Sequence, residues 1–133
     1  MKNLFFVLCC FLLAATVQCQ KKESFKESPV TGTWVETTTK TDTLEFLPEY
    51  DGTNPILWLK RGKNDDNLPK IYSGPYSYEL SGNSITMNWF LSSNMSFHEY
   101  FFELSPDKEI LKIGNFYNNP YDNKDTLIFR MIN

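Results

Sequence analysis

The side chain best suited to chemistry in this sequence is its one histidine, His98. Alternation along a strand would place His98 on the same face as Tyr100 and Phe102. Two interpretations are open: an imidazole that orients a ligand or handles a proton in an apolar cavity, or a hydrogen-bonded histidine at a strand end or barrel mouth. A zinc site usually needs three or more protein ligands, so we expect no metal. Haem ligation by this histidine stays open, but no motif indicates it, and we expect no cofactor.

The carboxylates and serines do not form a recognisable catalytic set. Glu99 and Glu103 lie four residues apart on one predicted strand, which separates them by ~13 Å at ~3.3 Å per residue, too far for the carboxylate pair of a glycosidase. The sequence has no Gly-x-Ser-x-Gly motif, phosphate loop or dinucleotide fingerprint. We therefore expect a protein that is not an enzyme.

The composition limits the remaining classes. The 133 residues suffice for one domain, and their 13 basic side chains are too dispersed to follow a phosphate backbone, so we expect no nucleic-acid partner. The three cysteines are Cys9, Cys10 and Cys19, all before the patterned region. That region therefore has no disulfide and no thiolate site. Its stability must come from its core, to which an aromatic content of 16% contributes.

Residues 1–18 have the pattern of a signal peptide. Lys2 is followed by a nearly continuous apolar run from Leu4 to Val17, which has the length of a signal-peptide core and is too short to span a membrane. We therefore predict an exported protein.

The end of this segment has two interpretations. Thr16-Val17-Gln18-Cys19 resembles a bacterial lipobox, and the charged residues that follow resemble the tether of surface lipoproteins of Bacteroidota. Cys19 would then be the first mature residue and carry a lipid that anchors the protein to the outer membrane or cell surface. The alternative is ordinary cleavage after Cys19, which gives a periplasmic or secreted protein. In the first case residues 19–30 form a polar tether and residues 31–133 the domain.

The domain has the pattern of short strands separated by turns. Runs of apolar and polar residues alternate with period two, and Gly, Pro, Asn and Asp separate them. Eight such runs, without a helical pattern, predict an all-β fold: a single eight-stranded antiparallel up-and-down barrel, with an open sandwich as the alternative. The predicted strands are 32–39, 43–47, 56–59, 76–80, 84–90, 97–104, 109–113 and 125–132.

Three stretches carry a family resemblance. They are Gly32-Thr-Trp34, then Asp42-Thr-Leu-Glu-Phe46 with Asp51-Gly52, and Tyr76-Ser-Tyr-Glu-Leu-Ser-Gly-Asn-Ser-Ile85. In this order they resemble the lipocalin-like proteins of bacteria, small exported barrels of the calycin type, many of them lipoproteins. The resemblance implies that Gly32 and Trp34 close the barrel base, with Arg130 of the last strand packed over the indole.

Aromatic side chains of neighbouring strands form the predicted interior, together with His98. They are Trp58, Tyr76, Tyr78, Trp89, Tyr100 and Phe102. Either they pack as a filled core, or they line a pocket for a small apolar or amphipathic ligand, and the leading expectation is non-catalytic binding of such a ligand. The alternative function is protein binding by the barrel loops, as an inhibitor would, with Tyr117 and Tyr121 as candidate contacts. Enzymatic activity, known for some calycin-like barrels, ranks third.

Overall fold

The fold is a closed barrel of eight antiparallel strands, seen in a computed structural model that describes residues 30–50, 54–118 and 125–132. Each strand pairs with its neighbours in sequence, and the last pairs with the first, which confirms the predicted up-and-down barrel. The predicted signal peptide, Cys19, most of the predicted tether and Tyr121 lie outside the described residues. The strands are β1 Gly32–Glu36, β2 Thr43–Leu47, β3 Ile56–Lys60, β4 Gly74–Ser81, β5 Ser84–Trp89, β6 His98–Leu104, β7 Ile110–Gly114 and β8 Thr126–Ile132.

The predicted alternation holds on most strands. Tyr76 and Tyr78 of β4 face inward, and so do Tyr100 and Phe102 of β6. β1 is shorter than predicted, because the Glu36 carboxylate accepts hydrogen bonds from the backbone N–H groups of the next turn and ends the strand.

The barrel closes where β8 pairs with β1. Gly32 has φ +85°, a conformation that favours glycine, and Trp34 is fully buried, with Nε1 donating to the Thr31 carbonyl at 3.1 Å. The expected packing of Arg130 over Trp34 is wrong. Phe129 takes the inward position on β8, so Arg130 faces outward and is exposed, opposite Val35 in the register.

The predicted inward position of Trp58 is also wrong. This side chain was predicted to face the interior, but Leu57 and Leu59 are fully buried on β3 while Trp58 is half-buried. In the register Trp58 lies opposite Glu45 and Pro75, and directly opposed residues share a face of the sheet. Trp58 therefore lies on the outer wall. The run Ile56–Leu59 is apolar on both faces, so its composition does not mark the inward side.

The barrel has two distinct ends. The connections β1–β2, β3–β4, β5–β6 and β7–β8 lie at one end, here called the mouth, and the start of β1 lies at the other, the base. Buried side chains form one continuous cluster inside, as expected for a small eight-stranded barrel. These side chains pack the interior, and the two cavities discussed below lie at the mouth and on the outer wall.

Candidate functional site

The candidate site is a cavity of about 140 Å³ at the mouth, between β4, β5, β6 and the segment after β7. The cavity forms because β5 and β6 separate at this end of the barrel. Their register ends at the pair Met87 and His98, so the last two residues of β5, Asn88 and Trp89, have no partner on β6. The chain then leaves the barrel wall and returns to His98, and the gap becomes the cavity.

Five of the eleven residues that line the cavity are tyrosine, tryptophan or phenylalanine. Tyr76 and Trp89 are stacked with centroids 6.5 Å apart, and Tyr72 meets Trp89 edge-on at 5.3 Å. Phe116, from the segment after β7, lies edge-on to Tyr76 at 5.3 Å and 6.0 Å from Tyr100. These rings form one flat, rigid side of the cavity, against which a planar molecule can stack.

Hydrogen bonds fix two of these rings. The Tyr76 hydroxyl donates to the Tyr72 carbonyl at 2.7 Å, and Trp89 Nε1 donates to the Ser73 carbonyl at 3.1 Å. Burial raises the pKa of Tyr76 far above its ordinary value, and the nearby Tyr100 raises it further. Its hydroxyl therefore stays neutral and remains a donor.

Polar side chains line the other side of the cavity: Asn88, Ser92, Asn94, Ser96 and His98. Asn88 is buried, and its Oδ1 has no hydrogen-bond partner among the described residues. His98 lies exposed at the rim, with Nε2 3.2 Å from Ser96 Oγ. His98 is the only titratable side chain of the wall besides the tyrosines. The cavity is thus close to neutral, with one unused acceptor.

Tyr117, Arg61 and Asp42 close the rest of the mouth and are here called the mouth clamp. Arg61 lies over the Tyr117 ring, its guanidinium carbon 4.5 Å from the centroid, and its Nε is 3.6 Å from Asp42 Oδ2. Arg61 also donates to the Ile71 carbonyl at 2.9 Å. Burial raises the pKa of Tyr117, and the Asp42 carboxylate adds to the effect. Since Tyr117 is 1% exposed, its predicted role as an exposed contact is wrong.

The predicted ligand-binding residues separate into three groups. The first lines the cavity: Tyr76, Trp89, His98 and Tyr100. The second, Tyr78 and Phe102, is packed in the core below it, where Tyr78 meets Phe46 edge-on. The third is Trp58, on the outer wall.

Sequence reasoning missed several residues of the cavity. Tyr72 and Phe116 come from connections, whose path the alternation of strands does not predict. Asn88 occupies an outward position between Met87 and Trp89, and a polar residue there looks like ordinary solvent-facing surface.

Comparisons with models of protein families, with curated proteins and with solved structures found no match. Within the described ranges, no three or more His, Cys, Asp or Glu side chains gather in a way that could hold a metal ion. No helix in that part of the chain is long and apolar enough to cross a membrane. The functional argument therefore depends on the geometry of the mouth.

Proposed function

We propose that this chain is a non-catalytic binding protein of the lipocalin-like kind, whose mouth cavity holds one small, uncharged amphipathic molecule. The observation that carries the proposal is the buried, unpaired Oδ1 of Asn88 in a cavity walled on one side by aromatic rings. A buried acceptor without a partner costs about 1–3 kcal/mol. A ligand that donates to it, after the Asn88 side chain rotates towards the cavity, recovers this free energy.

The size of the cavity limits the ligand to about one ring. An engineered cavity of about 150 Å³ holds benzene, and the mouth cavity has about 140 Å³. The interior below is filled by Tyr78, Phe102 and their neighbours, so a long-chain lipid does not fit inside the barrel. The favoured ligand is a planar ring with one hydrogen-bond donor.

A matched pair of probes tests this function. Phenol and anisole have the same ring, but methylation removes the donor of anisole. We expect phenol to bind about tenfold more tightly, the equivalent of one hydrogen bond of about 1.4 kcal/mol. The Asn88→Leu variant should abolish the difference, whereas Asn64→Leu, in an exposed loop, should retain it. Equal affinities for wild type would mean that water satisfies Asn88, and absence of binding by both probes would refute the site.

A second function, protein binding, is favoured by exposed apolar side chains in the β5–β6 connection. Met95 is 83% exposed and Phe97 61% exposed, while Phe90 and Leu91 are also exposed. Apolar side chains clustered in this way often mark interaction surfaces. Photo-crosslinking from position 95 in the host tests it. A specific partner that is lost in the Phe97→Ser variant would support this function, and crosslinks unaffected by that change would contradict it.

A further inference from the structure

A groove on the outer wall, separate from the mouth cavity, has the properties of a second binding site. It has a volume of about 590 Å³ and lies beside Trp58, between β3, β4, the β3–β4 connection and Leu91. No residue that lines this outer groove also lines the mouth cavity. Occupation of one site therefore does not require the other.

Trp58 and Pro75 form the floor of the outer groove. They are directly opposed in the β3–β4 register and both are half-buried. The Trp58 indole makes no hydrogen bond and no ring contact with any described residue, although tryptophans that are partly buried usually find a partner for Nε1. Leu91 forms one wall: it packs so closely on Gly74 that a Cβ there would lie 3.0 Å from its Cδ1.

The opposite wall is a small hairpin within the β3–β4 connection. Lys63 and Pro69 pair as an isolated bridge, and the Asn64 N–H donates to the Leu68 carbonyl at 2.8 Å. The hairpin holds Pro69 and Lys63 beside the groove. The walls are therefore preformed by backbone contacts.

The charged side chains that line the groove are all basic. Its lining includes Lys60, Arg61 and Lys63 and no acidic side chain. Arg61 already contacts Tyr117 and Asp42 at the mouth. Lys60 has an exposed ion pair with Glu45, with 2.8 Å between Nζ and Oε2. Lys63 donates to Asn67 Oδ1 and has no carboxylate within 4.0 Å among the described residues. Lys63 is thus the cation available to a ligand.

We propose that the outer groove binds a single anionic amphiphile, with its apolar body on Trp58 and its anionic head at Lys63. The groove volume lies in the range of about 300–1,000 Å³ that is usual for sites of single small molecules. An open groove of this volume accommodates one such molecule along Trp58, whereas a flat bilayer would contact only its rim. The occupant is therefore a free amphiphile rather than a membrane surface.

Three ten-carbon probes test the proposal on the mature chain, each below its micelle concentration: decanoate, decanol and decyltrimethylammonium. We expect decanoate to bind most tightly and the cation most weakly. Trp58→Ala should weaken decanoate binding at least about tenfold, because it removes the apolar floor, and Leu91→Ser should act in the same direction. Lys63→Gln should weaken decanoate about threefold without affecting decanol.

Matched controls locate the site. Phe101→Ala removes an exposed aromatic ring elsewhere on the outer wall, and Lys112→Gln removes an exposed lysine of β7; both should leave decanoate affinity unchanged. Phenol, the probe of the mouth cavity, should not compete with decanoate. Unchanged binding in Trp58→Ala and Leu91→Ser, equal binding of the cationic probe, or association only with phosphatidylglycerol vesicles would each overturn the proposal.

Discussion

The guanidinium carbon of Arg61 lies 4.5 Å from the centre of the Tyr117 ring, at the end of the barrel opposite to Trp34. One side chain thereby connects three parts of the mouth. It pairs with Asp42, donates to the Ile71 carbonyl and covers the ring that closes the interior. A planar guanidinium can stack and donate hydrogen bonds at the same time. The arginine–aromatic contact of this barrel is therefore at its mouth, and not at its base.

Loss of the clamp should destabilise the protein. We predict that Arg61→Ala lowers the free energy of unfolding by about 2–3 kcal/mol, because it leaves Asp42 without its ion pair and uncovers Tyr117. Urea unfolding measures the effect. Lys60→Ala, which removes an exposed ion pair one residue away, should cost no more than about 0.5 kcal/mol. Equal effects of the two changes would contradict the clamp.

At the base, substitution of Arg130 and of Trp34 should affect the free energy of unfolding to different extents. Arg130 is exposed on the outer wall, so Arg130→Ala should change the free energy of unfolding by no more than about 0.5 kcal/mol. Trp34→Phe should cost about 1–3 kcal/mol, because it removes the bond to the Thr31 carbonyl and leaves a space in the core. Thermal unfolding of both variants checks this. A large loss in Arg130→Ala would mean that Arg130 does support Trp34.

The alternation of apolar and polar residues predicted the barrel, because most strands have one apolar and one polar face. The inward positions of Tyr76, Tyr78, Tyr100 and Phe102 follow directly from it. Trp58 was misplaced because both faces of β3 are apolar, so that composition does not identify the inward face. On the outer face of β3, Trp58 lines the outer groove.

The base and the mouth were harder to predict from sequence. Met131 of β8 lies opposite Trp34, and a shift of one residue in the register with β1 would place Arg130 there instead. The chain from Ile113 to Tyr117 is buried at every position, because beyond Gly114, the last residue of β7, it folds over the mouth. A pattern of period two contains no information on that path.

Acid should weaken the turn that ends β1. Burial by itself raises the pKa of Glu36, but hydrogen bonds from the backbone N–H groups of Thr39 and Thr38 outweigh it and lower the pKa. A lowered pKa in the folded state gives stability that is present above the ordinary glutamate pKa of about 4.3 and is lost as pH falls through the folded value.

The Glu36→Gln variant isolates this effect. Between pH 6 and pH 3 its unfolding free energy should fall less steeply than that of wild type, because one linked proton is removed. Glu79→Gln, at an exposed position on β4, serves as the control. An unchanged slope in Glu36→Gln would contradict the assignment of the turn.

The distribution of the protein between membranes and solution tests the prediction that Cys19 carries a lipid. In the native host the wild type should sediment with membranes, and Cys19→Ser should appear in the soluble or secreted fraction. Gln20→Ser, the neighbouring change, should leave the distribution as in wild type. If wild type is already soluble, cleavage after Cys19 is the correct interpretation.

The central claim, binding at the mouth cavity, is tested most directly by NMR of the three tryptophan indole N–H groups during a titration with phenol. Trp34 lies in the core, Trp58 on the outer wall and Trp89 in the cavity wall, so each reports on a different site. We predict that phenol shifts the Trp89 signal and the side-chain amide of Asn88, while Trp34 and Trp58 stay unchanged. A shift confined to Trp58, or no shift at saturating phenol, would contradict the claim.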